Sequence, residues 1–178
     1  MIRTIVIGAA GRMGRRLVAN IMASDTLTLA GATEFVESPL LGEDAGLVAG
    51  CGPAGVKITA NLEELVKNAD AVINFATAGV VESTKLAVAN GCAVVIGTTA
   101  LSQAEKGQLA ELADNGGRIV SSYNMSVGVN LLFKLVGEAA RTLGLDYDCE
   151  IIEMHHNQKK DAPSGTACLL YTSPSPRD

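Results

Sequence analysis

The sequence predicts an α/β fold built on a doubly wound, mostly parallel sheet. Three observations carry this prediction. Short β-branched runs alternate with helical patterns at a regular period, as βαβ units require. Hydrophobic residues make up 48% of the 178 residues and aromatics only 3%, with no Trp, so the core is aliphatic. The 19 glycines punctuate these segments at the tight turns such a sheet needs. With 19% charged residues, disorder over the whole length is excluded, and the length suits one domain plus the start of a second.

The elements follow in order. Residues 4–7 form a β-branched run that ends at Gly8 and reads as a buried strand. Met13, Leu17, Val18, Ile21 and Met22 then recur at helical spacing, and the helix ends near Ser24 and Asp25. Residues 27–33 are a second strand, and the glycine-rich residues 35–57 a long flexible connection. Asn61 caps a short helix whose first turn carries Glu63 and Glu64, which suits the helix dipole. Residues 71–75 are a strand, 80–90 a helix stopped by Gly91, and 93–96 a strand again. Ser102 and Glu105 have capping-box spacing and open a helix to about Asp114, before a strand over 118–122. Beyond Asn124 the texture changes, and a domain boundary falls near residue 126. A helix over 129–143, a strand over 146–156 and a turn over 161–166 that begins a helix complete the pattern.

A net charge of −5 with pI near 5.0 argues against nonspecific nucleic-acid binding, which needs a basic surface. Small anionic ligands stay open, because local donors hold them. Cys51, Cys92, Cys149 and Cys168 contain no CxxC pair, so reduced thiols of a cytoplasmic protein are expected. No segment approaches the ~18 apolar residues of a membrane span, and the N-terminus lacks a secretory pattern.

Gly8-Ala9-Ala10-Gly11-Arg12-Met13-Gly14 lies between a predicted strand and a predicted helix. Glycine permits positive φ and close backbone approach there, and the helix N-terminus offers free N–H groups to a diphosphate. Glu34, 20 residues beyond Gly14 at the end of the second strand, is placed to accept from ribose hydroxyls. Together these features outweigh a merely structural turn and predict a Rossmann-like dinucleotide site. Phe35 follows Glu34 where a cation would serve a 2′-phosphate, which leans the choice toward NADH. Arg12, Arg15 and Arg16 leave NADPH open. Gly97-Thr98-Thr99 and Ser122-Tyr123-Asn124-Met125 follow later strands at the carboxyl edge, where open α/β sheets bind ligands.

The densest polar run, residues 153–166, contains both histidines. Adjacent side chains on a strand face opposite ways and no third ligand has metal-like spacing, so no metal site is expected at His155 and His156. Pro163-Ser164-Gly165-Thr166 is expected to expose hydroxyls and N–H groups at a helix start, a pocket for an anion. Cations and an anion pocket beside a nicotinamide site suggest reduction of an anionic substrate.

The glycine turn, Gly97-Thr98-Thr99, residues 124–130 and the run from His155 to Thr166 together resemble the 4-hydroxy-tetrahydrodipicolinate reductase (dihydrodipicolinate reductase) family. The resemblance covers residues 1–167. It implies a dinucleotide-binding domain over 1–126 and the start of an α+β substrate and oligomerisation domain over 127–167. It implies NADH- or NADPH-dependent reduction of dihydrodipicolinate, formed from 4-hydroxy-tetrahydrodipicolinate, to tetrahydrodipicolinate in the diaminopimelate route to lysine. The catalytic acid/base is then His155, with Lys159 as a second proton donor. His156, Gly165 and Thr166 hold a substrate carboxylate. Gly8, Ala9, Ala10, Gly11, Arg12, Met13, Glu34, Gly97, Thr98, Thr99, Ser122, Tyr123, Asn124 and Met125 contact the cofactor. The full-length form is implied to be a homotetramer. The chemistry agrees: hydride addition to a conjugated imine sends charge toward the ring nitrogen, where a cation and a proton are needed. Phe35 and Ala78 stand where many or some members carry Arg. Another amino-acid-pathway dehydrogenase with this fold, or a non-catalytic dinucleotide-binding protein, is the alternative.

After Ala167 the family continues its helix, whereas this chain runs into Ser173-Pro174-Ser175-Pro176, which no helix sustains. Residues 168–178 resemble an in-frame translation of a transposase sequencing adaptor. They are expected to be a non-native tail, with impaired turnover as the consequence.

Overall fold

A computed structural model of the chain describes residues 1–99, 101–155, 157 and 163–171. His156, Lys159 and the end of the expected tail, residues 172–178, lie outside the described residues. The chain divides into two compact units, Met1–Ser121 and Ser122–Asp178.

The first unit is a parallel sheet of six strands among the described residues: β1 (Ile2–Ile7), β2 (Leu27–Thr33), β3 (Ile58–Thr59), β4 (Ala71–Asn74), β5 (Ala93–Ile96) and β6 (Ile119–Ser121). The spatial order β3-β2-β1-β4-β5-β6 is that of a doubly wound dinucleotide-binding sheet. Across the centre Val6 lies beside Ala32 and Ile73, and Ile73 beside Val95, while the β1–β2 register shifts by one residue between Thr4 and Ile5. Parallel strands covered on both faces bury consecutive residues. Thus Ile5 and Val6, both 0% exposed, enter different cores. Ile5 packs with Val72, Val94 and Ile96 under helices α4 (Val80–Ala89) and α5 (Gln103–Asp114). Val6 packs with Ala32 and Ile58 under α1 (Arg12–Met22) and α2 (Ala45–Ala49).

The predicted caps form. Asn61 accepts from the Glu64 amide at the start of α3 (Leu62–Leu65), and Ser102 and Glu105 close a reciprocal capping box. The amphipathic stripe of α1 is narrower than expected: Val18 and Ile21 are buried, whereas Met13 and Met22 are exposed.

The connection over 35–57 departs from the expected flexible loop. It contains α2, and it leads directly into β3. One side chain organises it: Asp44 accepts from the amides of Gly46 (2.9 Å), Leu47 (3.1 Å), Ala54 (2.9 Å) and Gly55 (2.7 Å). These donors hold its carboxyl below the usual carboxylate range. Elements of five and two residues are too short to show periodicity in sequence.

In the second unit, α6 (Val127–Leu143) starts at the Ser126 cap, earlier than the predicted residue 129. Leu131, Leu132 and Leu135 lie on its exposed side. A single 3₁₀ turn, Gly144–Asp146, follows. The strand expected over 146–156 does not form among the described residues. An isolated extended segment gains ladder hydrogen bonds only from a neighbouring strand, and the described residues of this unit provide none. Helix α7 (Gly165–Tyr171) passes Ala167 and continues four residues into the expected tail.

Candidate functional site

The site in the first unit begins where β1 ends. Gly8 takes φ +74°, a conformation that side chains disfavour, and the amides of Gly8 and Ala9 both donate to the Thr33 carbonyl at 2.9 and 3.0 Å. This folds the turn back onto β2. Gly11 is the N-cap of α1 and brings no side chain to satisfy the first amides of the helix. The N–H groups of the first helical turn therefore point outward as anion donors. Gly14 serves packing: a Cβ there would lie 2.0 Å from the Gly8 carbonyl oxygen and 2.7 Å from Ala9 Cα.

Glu34 follows β2. Its Oε1 accepts from the Ala10 amide at 2.9 Å, and its Oε2 from its neighbour Phe35 at 3.4 Å. The Ala10 carbonyl accepts from Arg15 Nε at 2.8 Å, so both backbone polar groups of Ala10 are anchored. Gly8, Gly11 and Glu34 thus border one open cleft of about 540 Å³. The cleft lies over the carboxyl ends of β1, β2 and β4, at the switch point between β1 and β4 where such sheets take ligands. Its described lining holds the Glu34 carboxylate and no Lys or Arg, and Phe35 and Ala78 stand on it in place of a cation.

Sequence reasoning missed part of this wall. Ala60, Leu62 and Phe75 line the cleft and give it an apolar side. Behind them Asn74 is fully buried. Its Oδ1 accepts from the Ala76 amide at 2.9 Å and its Nδ2 donates to Ser83 Oγ at 2.9 Å, which fixes the turn after β4. The available signal was an Asn closing the otherwise aliphatic strand Ala71-Val72-Ile73.

Gly97-Thr98-Thr99 follows β5, as expected, but does not belong to the described lining of that cleft. Gly97 is constrained by an aromatic neighbour: a Cβ there would stand 2.0 Å from Phe75 Cζ. Thr98 is buried and Thr99 exposed, so the two hydroxyls have different surroundings. Arg12 and Met13 are exposed beside the turn, and Ala9 is buried beneath it.

The second unit gathers the other predicted residues. Ser122 Oγ donates to the Asn124 carbonyl at 2.8 Å, and Asn124 Nδ2 donates to Thr166 Oγ1 at 3.1 Å. Tyr123 is half-buried and Met125 exposed. Gly165 and Thr166 open α7. Ser164 departs from expectation. It is 2% exposed, and its donors are occupied by Glu153. The Ser164 amide donates to Glu153 Oε1 at 2.7 Å, and its hydroxyl donates to Glu153 Oε2. An internal carboxylate sits where an external anion was expected. Glu153 Oε2 also lies 3.5 Å from His155 Nδ1, an ion-pair distance.

Two family models match the chain: "Dihydrodipicolinate reductase, N-terminus" over residues 2–125 and "Dihydrodipicolinate reductase, C-terminus" over 128–175. A 4-hydroxy-tetrahydrodipicolinate reductase of Syntrophotalea carbinolica is 48% identical over 96% of this chain and 64% of its own length. The corresponding protein of Afipia carboxidovorans is 46% identical over 94% of this chain and 62% of its own. The chain therefore spans less than two thirds of these relatives. Among solved structures, a dipicolinate-bound dihydrodipicolinate reductase from Paenisporosarcina sp. TG-14 superposes with a TM-score of 0.73 at 30% identity, covering 96% of this chain and 64% of that one. A myo-inositol 2-dehydrogenase from Lactobacillus plantarum, at 22% identity and TM-score 0.57, shares the fold over 78% of this chain and 41% of that one.

Proposed function

Because this chain belongs to the dihydrodipicolinate reductase family, we propose that it carries the cofactor half and the beginning of the substrate half of a reductase acting on dihydrodipicolinate. The product is tetrahydrodipicolinate, in the diaminopimelate route to lysine. In this reading residues 1–126 bind NADH or NADPH and residues 127–167 begin the substrate domain. The whole protein is a cytoplasmic homotetramer. No described helix is long and apolar enough to cross a membrane.

The single observation that carries the cofactor assignment is the Glu34 carboxylate fixed on the Ala10 amide at the mouth of the glycine turn. The N–H groups of the turn and of α1 would hold a diphosphate, Glu34 a ribose, and the apolar wall at Leu62 and Ala60 an adenine. The described lining supplies no cation for a 2′-phosphate, which leans the choice toward NADH, with Arg12, Arg15 or Arg16 as the groups able to admit NADPH. The nicotinamide, when bound, supplies the hydride. Gly97, Thr98, Thr99 and residues 122–125 are assigned to its binding.

On the substrate side, His155 delivers the proton that the reduced ring requires, and Lys159 is the second donor. A His suits this near neutrality, and a cation steadies charge that builds on the ring nitrogen. His156, Gly165 and Thr166 are assigned to a substrate carboxylate. The dipicolinate in the Paenisporosarcina relative is a dicarboxylate of the proposed class.

The test has two arms. NADH titrated into this chain is expected to bind. A chain extended with the C-terminal third of the Syntrophotalea carbinolica relative is expected to oxidise NADH only when freshly prepared dihydrodipicolinate is added. Absence of binding in the first arm, or of substrate-dependent oxidation by a folded extended chain, removes the proposal.

A further inference from the structure

We infer that Glu153 is a positioning residue for the His155 imidazole, and that it holds the ring proton on Nδ1 so that Nε2 is the atom that exchanges protons with substrate. The inference rests on the proposed role of His155 and adds to it a residue outside the candidate catalytic and binding set.

The first observation is how firmly the carboxylate is held. Glu153 Oε1 accepts from the Ser164 amide at 2.7 Å, and Oε2 accepts from the Ser164 hydroxyl. Ser164 is itself 2% exposed, and its Oγ also accepts from the Ala167 amide at 3.0 Å, inside α7. A carboxylate gripped at both oxygens by one buried residue loses its rotamer freedom when the unit folds rather than when a ligand binds. This is the preorganisation that positioning requires.

The second observation is direction. Glu153 Oε2, the oxygen bonded to the serine hydroxyl, lies 3.5 Å from His155 Nδ1. At that distance the contact is electrostatic rather than a full hydrogen bond. Its sign still decides the tautomer. A proton on Nδ1 faces a negative oxygen and is attracted, whereas a bare Nδ1 lone pair is repelled. The imidazole is 41% exposed and the carboxylate 29%, so the charge is screened only in part.

The consequence for proton transfer follows from atom balance. The imidazolium carries a proton on each nitrogen. When one passes to the substrate ring, the neutral imidazole left behind is the Nδ1–H form if Nε2 was the donor. Glu153 stabilises that form, so it favours loss from Nε2 and return of a proton to the same atom. Sequence gave no signal for this, because Glu153 reads only as the first residue of a polar run.

The experiment is nitrogen NMR of the imidazole rings in the full chain, at a pH where the rings are neutral. A His155→Asn variant identifies which of the two histidine signals belongs to His155. The wild-type ring is expected in the Nδ1–H form. In Glu153→Gln it is expected to return to the Nε2–H form that free histidine prefers, with the circular dichroism spectrum unchanged. A folded E153Q whose His155 keeps the wild-type tautomer overturns the inference. If E153Q does not fold, the wild-type spectrum and Glu153→Asp decide, since the shorter side chain keeps the charge but draws it back from Nδ1. A shift toward Nε2–H in E153D then supports the inference, and a wild-type ring already in the Nε2–H form, or a ratio unmoved in E153D, overturns it. The readout needs no turnover. A tautomer shift in a protein whose extended form oxidises no NADH would keep the positioning and remove the reductase reading.

Discussion

The Ala10 amide donates to Glu34 Oε1 at 2.9 Å, joining the glycine turn after β1 to the residue that follows β2. One oxygen of the carboxylate thus braces the turn, and the group as a whole stands on the rim of the cleft. Glu34→Ala should raise the Kd for NADH by about one to two orders of magnitude, because a hydrogen bond to a charged group is worth roughly 1.5–3 kcal/mol. The same change removes a negative charge that opposes a 2′-phosphate, so the Kd for NADPH should rise less or fall. Fluorescence titration with both cofactors measures the ratio. An equal loss for the two would show that Glu34 acts only through the turn.

The glycines at 14 and 97 make a contrast that stability measurements can read. A Cβ at Gly14 meets backbone, with the Gly8 carbonyl oxygen at 2.0 Å, and backbone there cannot yield without moving β1. A Cβ at Gly97 meets the Phe75 ring at 2.0 Å, a side chain that can be shortened. Gly14→Ala should therefore exceed the roughly 1–3 kcal/mol typical of overpacking and prevent cooperative folding of the first unit. Gly97→Ala should fall within that range and be largely relieved in combination with Phe75→Leu. Urea unfolding of the single and double variants provides the cycle. Additivity at Gly97 and Phe75 would mean that the backbone, not the ring, absorbs the strain.

Much of the first unit is legible in the sequence because its signals are local. The strand runs, the capping box at Ser102 and Glu105, and the turn from Gly8 to Gly14 each act within a few residues of themselves. What was not legible depends on partners distant in the chain. Residues 45–59 are ordered by Asp44 reaching forward to Ala54 and Gly55, an arrangement that composition reads as a loop. The segment 147–155 has strand-like residues, yet β structure is a property of pairs and the described residues supply no neighbour. Ser164 looked like an open donor, and only the fold reveals that Glu153, 11 positions earlier, fills it.

Asp44 gives a pH dependence with a definite sign. Four amides stabilise its charged form, so its folded pKa lies below the unfolded value of about 3.9. Such a group contributes its full stability above the unfolded value and loses it as pH falls through the lowered folded value. The stability difference between wild type and Asp44→Asn should thus be largest near neutrality and shrink in acid. Urea midpoints at pH 7 and at about pH 3 test this, and a gap that widens in acid would contradict it. Glu105, held low by the Ser102 hydroxyl and amide, titrates in both proteins and drops out of the comparison.

Asn124 and Thr166 provide the sharpest test within the second unit. Asn124 Nδ2 donates to Thr166 Oγ1 at 3.1 Å, while its Oδ1 accepts from the Ser126 amide at 2.9 Å beside the cap of α6. One side chain therefore ties the start of α6 to the first turn of α7 across 42 positions of sequence. Thr166→Val removes the acceptor and keeps the shape, so it should cost about 0.5–1.5 kcal/mol. Asn124→Ala should cost more, since the Ser126 amide also loses its partner. The double variant should be less destabilised than the sum of the two, because the shared bond is counted once. Denaturant unfolding measures all three. Strict additivity would mean that the bond contributes nothing and that the start of α7 is held without it, by packing and by the Ser164–Glu153 bonds. In that case Thr166 would be free to turn its hydroxyl toward a ligand without first breaking an internal contact.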